Sequence, residues 1–110
     1  MIKITVIVEG DKIVAIKSKG HSGYSESGTD IVCAAASSIL QTAILGLRRF
    51  ANNCFSYQIN EKVPMMEICL KDSDISETTM RDVQVILETA ILGLDDLQKG
   101  FTKYIKVEVK

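Results

Sequence analysis

The chain has 110 residues, 46% of them hydrophobic, and its 13 basic side chains stand against 14 acidic ones for a net charge of -1. That length suits a single domain over residues 1–110, with a modest core and no room for a separate substrate domain. The balanced charge lacks the basic excess that non-specific phosphate binding needs, so no direct nucleic-acid partner is expected.

From the start, Ile2, Ile4, Val6 and Val8 alternate with Lys3, Thr5, Ile7 and Glu9, the period of a strand with one buried face. This stretch has neither the unbroken apolar run nor the small-residue cleavage site of a signal peptide, and a cytoplasmic protein is expected. Gly10-Asp11 supplies a turn and Ile13 to Ser18 a second strand, which predicts a hairpin. A glycine-rich loop follows from Gly20 to Gly28, with the chain's single histidine, His21, near its start. Thr29 is a good N-cap and Asp30 puts a negative charge in the first turn, so a helix is predicted from Asp30 to about Ala51, with Arg48 and Arg49 complementing its far pole. Its richest apolar stretch, Ile31 to Leu47, is interrupted by Ser37, Ser38, Gln41 and Thr42, and no membrane span is expected.

Cys54 to Asn60 and Met65 to Lys71 read as two more strands, with the only proline, Pro64, between them. Asp74 or Ser76 then caps a second helix. Glu77, three residues after Asp74, suggests a capping box, and Met80, Val83, Leu87, Ala90 and Leu94 recur at helical spacing. Thr102 to Val109 closes the chain as a strand. An internal echo supports the order: ILQTAILGL at 39–47 returns as ILETAILGL at 86–94. Two amphipathic helices and five strands in the order ββαββαβ predict an α+β two-layer sandwich, a mainly antiparallel sheet with both helices on one face. Gly46 and Gly93 are expected to allow close helix approach.

Three cysteines, Cys33, Cys54 and Cys69, are an odd number in a chain without an export signal, so free thiols are expected. They lack C-x-x-C spacing, and with one histidine a metal site would need distant ligands; neither metal nor cofactor is expected. Under the 47-residue offset Cys33 falls opposite Met80, Asp30 opposite Glu77 and Ser37 opposite Gln84, so only the first helix carries a nucleophile. Cys33 is placed in the first turn of that helix, where unpaired backbone N–H groups favour a thiolate. His21, twelve residues earlier, has enough intervening chain to fold back on the sulfur. Such a pair can attack a carbonyl, protonate a leaving amine and use helix-terminal N–H groups for the oxyanion. Asp30, Cys33 and Ser37 share one helix face at i, i+3, i+7 beside small alanines. Asp30 is open to two roles, orienting His21 or acting only as a first-turn charge, and Ser37 to substrate contact or a bond back to its own helix.

The segment GHSGYSESGTDIVCAAAS, residues 20–37, closely resembles the signature of the bacterial ribosomal-processing cysteine protease family, Prp: a G-H-x-G start, a G-x-D-I-V-C-A-A block and a trailing serine. That resemblance implies His21 and Cys33 as the catalytic pair, with Gly20, Gly23, Asp30 and Ser37 as supporting or substrate-binding residues. It also implies a homodimer, and as substrate the precursor of large-subunit ribosomal protein twenty-seven, made with a short N-terminal extension that is removed during ribosome assembly. Ser22 and Ser25 stand where the family's pattern has alanine more often. The competing readings are a non-enzymatic ribosome-associated module holding an anion such as RNA phosphate at the helix start, and a redox sensor using Cys33.

Overall fold

The computed structural model describes residues 1–20, 27–60, 65–71 and 74–110. Along the chain run β1 (Ile2–Glu9), β2 (Lys12–Lys19), α1 (Ser27–Phe50), β3 (Phe55–Asn60), β4 (Met65–Leu70), α2 (Glu77–Gly100) and β5 (Ile105–Val109). The ββαββαβ order read from the periodicities is therefore the order found.

The five strands lie β3-β4-β2-β1-β5, antiparallel at every step except β1 beside β5, which is parallel. Alternation decides the faces: Ile2, Ile4 and Val6 of β1, Ile16 of β2, Ile68 of β4 and Ile105 of β5 are buried in one cluster with Val32, Leu40 and Leu47 of α1 and Val83, Leu87 and Leu94 of α2. Both helices thus cover one side of the sheet. They run antiparallel, and the echo appears as reciprocal packing. A methyl added to Gly46 would meet Ile86 at 3.6 Å and one added to Gly93 would meet Ile39 at 3.5 Å. Those are ordinary contact distances, so the close approach is isoleucine against glycine rather than backbone against backbone.

The hairpin turns through Gly10 at φ 63, a left-handed position suited to glycine. Between Ile7 and Val8 the register shifts, Ile7 facing Ala15 and Val8 facing Ile13, which leaves Val14 as the extra residue of a bulge. Gln84 of α2 secures it. Ile13 donates its N–H to Gln84 Oε1 at 2.8 Å, and Gln84 Nε2 donates to the Ile13 carbonyl at 2.9 Å. Gln84→Leu strips partners from two half-buried backbone groups and is expected to cost about 1–3 kcal/mol, read as a lower urea midpoint at unchanged slope. At the far edge Lys106 pairs with Glu108 at 3.2 Å. By that hydrogen bond and by its charge Lys106 holds the Glu108 carboxyl below the usual carboxylate range, with Lys110 and Lys3 adding to it.

Three expectations are corrected. α1 begins at Ser27 rather than Asp30, so Thr29 lies inside the helix rather than capping it, and Cys33 falls in the second turn. The start was read from Thr29 as a good cap by residue type, but Ser27 and Gly28 before it already have helical backbone. α2 is capped by Ser76, whose side chain accepts from the Thr79 N–H, so the Asp74–Glu77 capping box does not form. Finally, Ile31–Phe50 is long and apolar enough by composition to cross a membrane, since Ser37, Ser38, Gln41 and Thr42 carry no charge. Its inner stripe, Val32, Ala36, Leu40 and Leu47, is instead packed in the core beneath the sheet.

Candidate active site

The chain reaches α1 from the end of β2, and the residue at that exit is under two constraints. Gly20 has φ 86, and a Cβ built on it would lie 2.9 Å from the Met1 carbonyl oxygen. A side chain there meets both the left-handed penalty and a backbone atom. Position 20 therefore fixes how the chain leaves the sheet immediately before His21.

Of the six residues singled out from the sequence, Gly20, Cys33 and Ser37 are described in full, and Asp30 is described as helical backbone. His21 and Gly23 lie outside the described residues. Cys33 and Ser37 are both half-buried, four residues apart and so on one flank of α1. The Cys33 side chain packs against the rim of the hydrophobic core, while Ile31 is 59% exposed and Ala34 is exposed, leaving an open approach beside it. All three cysteines are free thiols of similar, partial burial.

A second-turn position changes the electrostatics expected of Cys33. Its backbone N–H belongs to the helical ladder, and the field of the helix end falls off within the first turn. Among the described residues no three His, Cys, Asp or Glu side chains gather to hold a metal ion. The sequence reading passed over a shallow groove of about 150 Å³ between α1 and β3, on the same flank of α1 as Cys33. Its only trace in the sequence is the absence of charge from Phe55 to Asn60.

Comparison with known proteins agrees with this architecture over nearly the whole chain. The family described as Cysteine protease Prp matches residues 1–106. The ribosomal processing cysteine protease Prp of Staphylococcus aureus is 26% identical over 109 residues, covering 99% of this chain and 97% of that one. A crystal structure of the essential ribosomal processing protease Prp from S. aureus, in complex with a substrate peptide, superposes with a TM-score of 0.86 at 22% identity and full coverage of both chains. A Streptococcus mutans protein of 29% identity superposes with a TM-score of 0.85, over 99% of this chain and 93% of the other. With the family's sequence pattern spanning 1–106 and its fold reproduced end to end, the chain belongs to the Prp family of cysteine proteases.

Proposed function

We propose that the chain removes the N-terminal extension of large-subunit ribosomal protein twenty-seven during ribosome assembly, in the cytoplasm, with Cys33 as nucleophile and His21 as general base and acid. The observation that carries the reading is Cys33 itself. It is the cysteine that stands inside the residue 20–37 signature, near the start of α1, with open surface beside it; Cys54 and Cys69 lie beyond that segment. The S. aureus relative, named for ribosomal processing and crystallised with a substrate peptide, supports the substrate class.

In this reading His21 takes the thiol proton and the sulfur attacks the peptide carbonyl carbon. The tetrahedral intermediate collapses, the C–N bond breaks, and His21 delivers the proton to the departing amine. Water, deprotonated by the same imidazole, then hydrolyses the thioester and frees Cys33. Gly20 and Gly23 shape the segment that carries His21, and Asp30 and Ser37 support it from α1. Because the N–H groups of α1 are committed to the ladder from its fifth residue onward, the oxyanion's donors lie outside the ladder at Cys33.

The test is incubation with the extended ribosomal protein from the same cell, reading product masses. Two fragments summing to the precursor plus one water are expected, and intact precursor would sink the assignment. Alkylation gives an independent check. Faster labelling of Cys33 than of Cys54 and Cys69 near neutral pH is the result expected of an activated, accessible thiol, and equal rates at all three would argue for a structural Cys33.

The homodimer has a natural surface in this reading. The exposed positions of α1 that border the other helix, Ser38 and Thr42, carry no charge, where a solvent-facing helix ordinarily does. Val85 and Leu92 of α2, 56% and 63% exposed, continue the patch across an apolar cleft of about 470 Å³ between the helices. Val85→Glu with Leu92→Glu is expected to halve the mass seen by sedimentation; an unchanged dimer would place the contact elsewhere.

A further inference from the structure

One edge of the sheet is left open in an unusual way. β3 reads Phe55-Ser56-Tyr57-Gln58-Ile59-Asn60, without charge or proline, and every residue after Phe55 is exposed. Edge strands present unpaired N–H and C=O groups, a template for another strand, and proteins protect them with charges, prolines or bulges. β5, at the opposite edge, carries the Lys106–Glu108 pair. Among the described residues β3 carries no such charge, proline or bulge.

The register shows where its apolar side chains stand. Tyr57 pairs with Ile68 and Ile59 with Met66, both buried under the helices, and residues directly opposite share a face. Tyr57 and Ile59 therefore rise on the helix side of the sheet, beyond the cover of α1, and stay 47% and 45% exposed. With Gln41, Ile44, Leu45 and Arg48 they line the groove of about 150 Å³. Cys33, Ser37, Gln41, Ile44 and Arg48 follow one another at steps of four, four, three and four along one flank of α1. The ends match as well: Asn60 pairs with Met65, and Met65 with Lys19, the residue from which the chain leaves the sheet for α1.

We propose that the substrate peptide adds to β3 as a sixth, extended strand, seating alternate apolar side chains against Tyr57, Ile59 and Leu45 while its scissile bond lies at Cys33. The inference rests on Cys33 as nucleophile and goes beyond that reading in assigning the groove and the class of sequence it selects. From Cys33 to Gln41 and Leu45 the helix rises roughly 12–18 Å, which about four to five extended residues span. The selected pattern is two apolar residues spaced two apart, some four to six residues from the cut on one side. Arg48 at the groove's far end disfavours a basic residue there.

The experiment compares wild type with Tyr57→Ala/Ile59→Ala on two peptides copying the ribosomal extension: one with about ten residues on each side of the cut, one with about three. Wild type is expected to prefer the long peptide at least tenfold in kcat/KM. The double variant is expected to lose most of that preference, chiefly through KM. Backbone N-methylation along the long peptide is expected to slow cleavage at alternate residues only, because an added edge strand uses every second N–H. Ile59→Thr, which keeps a β-branched residue in the strand, is expected to give a smaller loss in the same direction if the larger change impairs folding. Equal cleavage of long and short peptides by wild type, or a preference that survives the substitutions, overturns the proposal. Loss of self-association with the preference intact assigns the edge to a second copy and overturns it too. If wild type cuts neither peptide, or Cys33→Ala still cuts, the protease-site reading itself fails and takes this one with it.

Discussion

Cys33→Ala is expected to leave the domain folded and to reduce peptide cleavage to background, a loss of about 10⁴- to 10⁶-fold. The two halves of that result come from different parts of the structure. Cys33 touches the rim of the core but is only half-buried, so removing one sulfur opens no enclosed cavity and the cost to stability is expected to stay below about 1 kcal/mol. No other thiol can take over, because Cys54 precedes β3 and Cys69 pairs with Ala15 and Ser56 in the sheet, away from the start of α1. Retained cleavage by a folded Cys33→Ala protein would end the assignment. His21→Ala is expected to cost nearly as much, since a second-turn cysteine has less help from the helix end than a first-turn one.

The parts of the fold legible in the sequence were those written in burial. Alternation at Ile2, Ile4, Val6 and Val8 and the helical spacing at Met80, Val83, Leu87, Ala90 and Leu94 each mark one face as dry; Val8 and Met80 are half-buried and the others are buried. Close helix approach was expected at Gly46 and Gly93, and the structure adds what meets them there, Ile86 and Ile39. Features outside the core were read less well. The first turn of α1, Ser27 to Asp30, contains no apolar residue and offers Thr29 as a cap by residue type, so its start was placed three residues late. Ser76 and Asp74 are both good caps by residue type, and only the backbone at Ser76, with φ -61 and ψ 155, decides between them. The Gln84–Ile13 clamp joins residues 71 apart in sequence, and local spacing carries no sign of it.

The candidate site was legible for a different reason. The residues from Gly20 to Ser37 announce themselves by chemical type rather than by periodicity, and the resemblance to the Prp signature is carried there. What the sequence could not express is the groove beside them. Tyr57 and Ile59 look like ordinary strand residues until the strand order puts β3 at an edge and the width of α1 leaves them uncovered.

Gly20→Ala is the second substitution with a large expected effect, and it tests how the site is held rather than its chemistry. At φ 86 an L-residue other than glycine pays about 1–2 kcal/mol, and the 2.9 Å approach of the new methyl to the Met1 carbonyl adds to it unless the strand end shifts. Either way the expected loss is about 1–3 kcal/mol, on the order of 4–8 °C in Tm per kcal/mol for a domain of this size. The next residue is His21, the proposed base, so if the strand end shifts kcat is expected to fall at temperatures well below the transition, even in molecules that remain folded. A chain lacking Met1 separates the two causes. If the carbonyl contact dominates, removing Met1 from the Gly20→Ala protein recovers most of the stability and activity. If backbone handedness dominates, the loss persists, and D-alanine at position 20, which accepts a positive φ, restores both. A Gly20→Ala protein with wild-type Tm and kcat would show that neither the conformation at Gly20 nor its contact with Met1 holds His21 in place.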